Sequence, residues 1–161
     1  MPQNDAALLA RLSKHGVEFV IIGGVCGVLH VVSLVTFDLG VCCPFSTENL
    51  RRIEAAVKDL HPYHRLTPDK LPLEFSNELL GGLKNLYLQT DLGKLDCLGE
   101  VTGIGDYQSA LRLSVLHHSA LGELRMLSLD ALIVAKEAAG RDRDLAAVKQ
   151  LRAIKERKEG S

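Results

Sequence analysis

Residues 17–30, VEFVIIGGVCGVLH, decide how the rest of the chain is read. The run from Val17 to Ile22 is apolar and β-branched. It is too short for a helix, so it predicts a buried strand. Gly23 and Gly24 break that strand, and the small, apolar residues after them predict a short helix or turn-helix. The free backbone N–H groups at such a helix start can receive a phosphate, and glycine lets the phosphate come close to the backbone. A second strand follows at 35–43, VTFDLGVCC, stopped by Pro44. It carries Asp38 in apolar surroundings. A buried carboxylate without a partner is costly, so Asp38 is expected to face a cleft, to be paired, or to bind something. Read alone, the Gly23–Gly24 pair is better explained by an ordinary turn.

Outward from this centre the pattern alternates. Residues 4–15 place Leu8, Leu9 and Leu12 on one helical face, capped by Asn4 or Asp5 and ended by Gly16. After Pro44, Ser46 or Thr47 caps a helix whose buried stripe is Leu50, Ile53, Val57 and Leu60. Residues 61–75 hold three prolines and predict surface loop with a short strand. Two apolar runs around TDLGK predict a hairpin, 83–89 with 94–98 and Gly93 in the turn. Residues 100–111 read as a Gly-rich loop entering a short helix. A strand then leads to a helix capped at Ser128 and closed by Gly140, and a last amphipathic helix has a basic end. His117 and His118 fall in a loop or a strand, solvated in either case. The fold class expected is α/β (α+β): one mixed sheet flanked by helices. It forms a single domain over 1–161, with its core at 17–100 and C-terminal helices at 129–157.

The totals narrow the function. Net charge is −1 across 161 residues, which lacks the basic footprint of a broad nucleic-acid-binding face. Aromatics make up 4% with no Trp, which argues against a base-stacking platform. No apolar run approaches the ~20 residues that span a bilayer, and the first residues do not read as a secretory signal. A cytoplasmic location without membrane attachment is expected. Cys26, Cys42, Cys43 and Cys97 lie in apolar sequence without paired metal-ligand spacing, and read as buried reduced thiols.

Four segments carry a resemblance: EFVIIGGVCGVLH…TFDLGV, ENLRRIEAAVKDL, GKLDCLGEVTGIGDYQ and LSLDALIVAKEAAGRDRDLAAVKQL. In this order they resemble the nucleotidyltransferase superfamily of DNA polymerase β-like fold, and in particular its small bacterial stand-alone members of the abortive-infection and toxin–antitoxin type. The resemblance implies a glycine pair that receives phosphate, here Gly23 and Gly24. It also implies acids that hold Mg²⁺, here Asp38 and Asp96, as metal ligands and catalytic residues. Lys136 would reach the triphosphate of an NTP. Such an enzyme moves a nucleoside monophosphate to a hydroxyl of a protein, an RNA or a small molecule, and pyrophosphate leaves.

The chain departs from that pattern at the second acid of the pair, which falls on Gly40. Val31, Val32 and Leu34 likewise stand where the family places polar residues. Residues i and i+2 of a strand share a face, so the face of Asp38 is expected to lack one carboxylate. Nucleotidyl transfer is therefore expected to be weak or lost. The alternatives are a non-catalytic nucleotide sensor or an interaction module of a defence or toxin–antitoxin pair, and an unrelated α/β binding domain. Lys94 is a candidate salt-bridge partner for Asp96, which would make that acid merely structural. By strand parity Glu100 could offer a substitute oxygen near it. His30 reads as a core residue, and His61 and His64 have no evident partner. Lys136 with Arg141 and Arg143 reads equally well as a helix end with local Arg–Asp pairs.

Overall fold

The structure, a computed structural model, describes residues 3–23, 26, 39–76 and 82–159. Gly24, His30, Asp38 and most of the segment expected as the helix after the paired glycines lie outside the described residues.

Helix α1 (Asp5–Lys14) begins where the Asn4 side chain accepts the Ala7 N–H at 3.1 Å, and it buries Leu8, Leu9 and Leu12. Strand β1 (Val20–Ile22) is buried at every position, shorter than the expected 17–22. Gly23 then takes φ +71°, which turns the chain off the strand. Strand β2 (Leu39–Cys42) leads to α2 (Thr47–Val57), capped by Ser46 Oγ accepting the Asn49 N–H at 3.1 Å. The buried stripe of α2 is Leu50, Ile53, Ala56 and Val57, and a 3-10 turn (Lys58–Leu60) adds Leu60. Asn49 joins the buried face at 2% exposure. Its side chain accepts the Glu18 N–H at 2.8 Å and donates to Glu18 O at 3.2 Å and Pro44 O at 3.0 Å.

The short strand β3 (Tyr63–His64) pairs with β4 (Asn85–Thr90), which forms a hairpin with β5 (Gly93–Leu98). The hairpin closes at Thr90↔Gly93. Strands β6 (Glu100–Val101) and β7 (Gly105–Asp106) form a separate two-stranded ribbon that leads into α3 (Tyr107–Arg112). Strands β8 (Ser114–Ser119) and β9 (Gly122–Leu127) form a second hairpin, so His117 and His118 belong to a strand. Helix α4 (Leu129–Ala139) starts at Ser128, whose Oγ accepts the Ala131 N–H, and ends at left-handed Gly140. Helix α5 (Asp142–Glu159) follows.

Among the described residues the main sheet has seven strands in the order β3-β4-β5-β2-β1-β9-β8, so it runs on past residue 100. It is mixed: β2 lies parallel to β5 and β9 parallel to β1, and the other pairs are antiparallel. Side chains alternate across it. Leu39, Val41, Leu86, Leu88, Leu95 and Cys97 are fully buried on one face, while Gly40, Tyr87 and Asp96 lie half-buried on the other. The buried strand residues share one apolar cluster with the stripes of α1, α2, α4 and α5.

Candidate functional site

The register builds a single rung across the half-buried face. Ile22 of β1 pairs with Gly40 of β2, Gly40 with Asp96 of β5, and Asp96 with Tyr87 of β4. Arg65 extends the rung by one more place. It follows β3, and its backbone N–H donates to Tyr87 O at 3.0 Å, continuing the β3–β4 ladder. Five residues distant in sequence therefore lie in line: Ile22, Gly40, Asp96, Tyr87 and Arg65.

Arg65 closes this line chemically. Its Nη1 forms an ion pair with Asp96 Oδ1 and also donates to Leu88 O at 3.3 Å. The guanidinium carbon stands 5.5 Å from the centre of the Tyr87 ring, within cation–π range. Both partners are largely withdrawn from solvent, with side-chain exposures of 17% for Arg65 and 16% for Asp96. The ion-pair partner of Asp96 is thus Arg65 rather than Lys94, which is exposed. Strand parity alone favoured Lys94. The actual partner comes from a short strand in the proline-rich middle, where sequence spacing gives no register.

At Gly40 the missing side chain leaves usable space. A Cβ there would meet Ile22 Cγ1 at 3.4 Å, an ordinary contact. Steric crowding does not require glycine at this position, yet as glycine it contributes no oxygen to the rung. Among the described residues, no three His, Cys, Asp or Glu side chains lie together as a metal site. Mg²⁺ takes near-octahedral oxygen donors and is bound through carboxylates and substrate phosphates. The described rung offers one carboxylate, and that carboxylate already holds a guanidinium. By themselves the described residues of the rung do not make up a two-ion Mg²⁺ site, and Asp38 lies outside them.

Of the other expected site residues, Gly23 and Lys136 lie among the described residues, and Gly23 directly follows Ile22 of the rung. Gly23 ends β1 with nothing within 4 Å of where a Cβ would stand. Lys136 of α4 is buried and lies 3.7 Å from Asp144 Oδ1, while Arg141 Nε donates to Asp144 Oδ2 at 2.6 Å. Burial pushes the Lys136 ammonium below its usual range, opposed by the Asp144 charge. Asp144 is itself held below the usual carboxylate range: burial acts to raise it, and the Arg141 hydrogen bond and charge outweigh that. The Lys136 charge also acts on Cys26, so the cluster lies near that thiol. The local Arg–Asp pairing is thus present, and Lys136 takes part in it.

Glu100 does not join the rung. It stands four residues beyond Asp96, about 13 Å along an extended strand, and β6 has left the main sheet to pair Glu100 with Asp106 of β7. Those two acids line a cleft of about 680 Å³ with Phe45, Leu83, Lys84 and Ile104. Asp106 also caps α3 by accepting the Ser109 N–H at 3.0 Å. His61 has a partner that its sequence context did not reveal: its Nδ1 lies 2.7 Å from Asp91 Oδ2, which raises its pKa.

No protein-family model and no curated protein matches the chain. Among solved structures it is similar to the solution structure of the antibiotic-resistance factor ANT(2'')-Ia, an aminoglycoside nucleotidyltransferase. That likeness has 16% identity and a TM-score of 0.56, covering 91% of this chain and 79% of the other. A crystal structure of ANT(2'')-Ia in complex with adenylyl-2''-tobramycin aligns at 15% identity and a TM-score of 0.49, over 92% of this chain and 94% of the other. The first likeness shows the fold: a mixed α+β arrangement of the nucleotidyltransferase kind, with C-terminal helices. No helix among the described residues is long and apolar enough to cross a membrane.

Proposed function

We propose that this chain is a nucleotide-binding protein of nucleotidyltransferase fold whose capacity to transfer a nucleoside monophosphate to a hydroxyl is weak or lost. One observation carries the reading: Gly40 stands beside Asp96 in the rung, and the Asp96 charge is taken up by Arg65. Activation of an attacking hydroxyl between two metal ions needs bridging carboxylates, and Gly40 supplies none. In this reading Gly23 and Gly24 receive a phosphate and Lys136 lies on the triphosphate side. Asp38 and Asp96 are what remains of the acid set. Residues 1–161 act as one unit. The same observation favours a second role without turnover, that of a nucleotide sensor within a defence or toxin–antitoxin pair.

Two measurements test this. ATP, GTP, CTP and UTP are titrated while thermal unfolding is followed, and pyrophosphate release from each is assayed with Mg²⁺. The expected result is stabilisation by at least one nucleotide with little or no release. Rapid release that Asp38→Ala abolishes would show an active transferase instead. No stabilisation by any nucleotide would remove nucleotide binding itself.

A further inference from the structure

The mismatch between the rung and a metal site has a positive side. We propose that Arg65 is the resident cation of this face. It holds the place at Asp96 that a divalent ion would take, so a nucleotide phosphate would be received here by a guanidinium without Mg²⁺. The phosphate clause rests on the nucleotide-binding reading above; the cation clause stands on geometry alone.

Three features support it. First, Arg65 is held by the sheet rather than by a mobile loop. Its N–H is bonded to Tyr87 O, and the turn after it is fastened where Thr67 Oγ1 donates to His64 O at 2.8 Å. Its position is therefore set before any ligand arrives. Second, its charge is permanent. A guanidinium does not deprotonate in the working pH range, so no ordinary pH change empties the place. Third, its Nη1 is wedged between the Asp96 carboxylate and the Leu88 carbonyl while the plane lies near the Tyr87 ring. A divalent ion approaching Asp96 would have to displace that contact and then stand beside a positive charge in a half-buried setting, where repulsion is poorly screened. An incoming phosphate meets the opposite situation, because a guanidinium presents five N–H donors in a planar fork suited to its oxygens.

The test uses the intact chain. Mn²⁺, which is paramagnetic, is titrated into the wild type while water-proton relaxation is read. Wild type is expected to give no enhancement up to millimolar Mn²⁺. Arg65→Met keeps an unbranched side chain over Tyr87 and removes the charge. It is expected to bind Mn²⁺ at least tenfold more tightly than wild type, and Asp96→Asn in the same background should cancel the gain. Wild-type binding that Asp96→Asn abolishes would overturn the cation clause, as would an Arg65→Met variant, folded by circular dichroism, that gains nothing. Should Arg65→Met fail to fold, the wild-type titration with and without Asp96→Asn decides the matter alone. ATP affinity is then compared in Mg²⁺ and in EDTA, with the two values expected to agree within twofold. A tenfold requirement for Mg²⁺ would overturn the phosphate clause. No ATP binding in either buffer would defeat the nucleotide reading and leave the Mn²⁺ result to judge Arg65.

Discussion

Gly40 and Arg65 are the two residues on which this face turns, and only one of them was visible in the sequence. Gly40 could be read because strand periodicity puts residues 38 and 40 on a common face. Arg65 could not, because its place depends on a two-residue strand and one backbone hydrogen bond in a segment rich in proline. Gly40→Asp probes both. A Cβ fits at 3.4 Å from Ile22 Cγ1, so the cost is electrostatic: a second carboxylate beside Asp96 with one guanidinium to share. Like charges paired across strands destabilise by up to about 1 kcal/mol. Repulsion raises the pKa of the introduced carboxyl in the folded state above its unfolded value near 4. The deficit is therefore absent at low pH and develops as pH rises through the carboxylate range. Urea midpoints for Gly40→Asp and wild type should coincide near pH 3 and separate by pH 7. A gap that is the same at both pH values would show that the two carboxylates do not sense each other.

At the scale of elements, the described helices and the first hairpin follow the hydrophobic pattern closely, since their stripes and caps are local. Ser46 and Ser128 cap α2 and α4 as their sequence context implies. The β8–β9 hairpin was only half legible. Val115 and Leu116 are both exposed and His118 faces solvent, so β8 lacks the clean apolar alternation of a strand with one buried face. The buried Asn49 was also missed, because an amide inside a helical stripe looks like a surface residue until its partners are known. It ties the start of α2 to Glu18 on one side and Pro44 on the other. Asn49→Ala leaves an N–H and two carbonyls without their bonds in a buried place, and should lower unfolding free energy by about 3 kcal/mol. A loss under 1 kcal/mol in urea denaturation would mean that water or a shifted backbone replaces the amide.

For the whole molecule, the order of segments was enough to anticipate a mixed sheet with C-terminal helices, and the likeness to ANT(2'')-Ia supports that fold. What the linear chain withheld was the long-range register: which residue of β2 stands beside which residue of β5, and how β9 comes to lie next to β1. The four cysteines report on the integrity of this assembly. Cys26, Cys42, Cys43 and Cys97 are all buried free thiols. Burial pushes Cys26 and Cys42 up to about 12, and Cys43 is raised by its hydrogen bond to Cys97 together with burial. Only the thiolate reacts readily, so labelling by a disulfide reagent at pH 8 should await opening of the core. All four thiols are expected to react in urea, and none rapidly in the native protein. A fast-reacting native thiol would reveal a local opening of the sheet.

The tie between Gln3 and the β4–β5 turn bears on how the protein is handled. Gln3 Nε2 donates to Lys94 O and its Oε1 accepts the Lys94 N–H, each at 2.8 Å, while the Asn4 N–H reaches Leu92 O. Gly93 permits this close fit, because a Cβ there would fall 2.3 Å from Gln3 Oε1. Lys94 precedes Asp96 by two residues, about 7 Å along the strand. Any purification tag or reporter joined ahead of Gln3 would therefore start beside the β4–β5 turn and strain the bonds that fasten it.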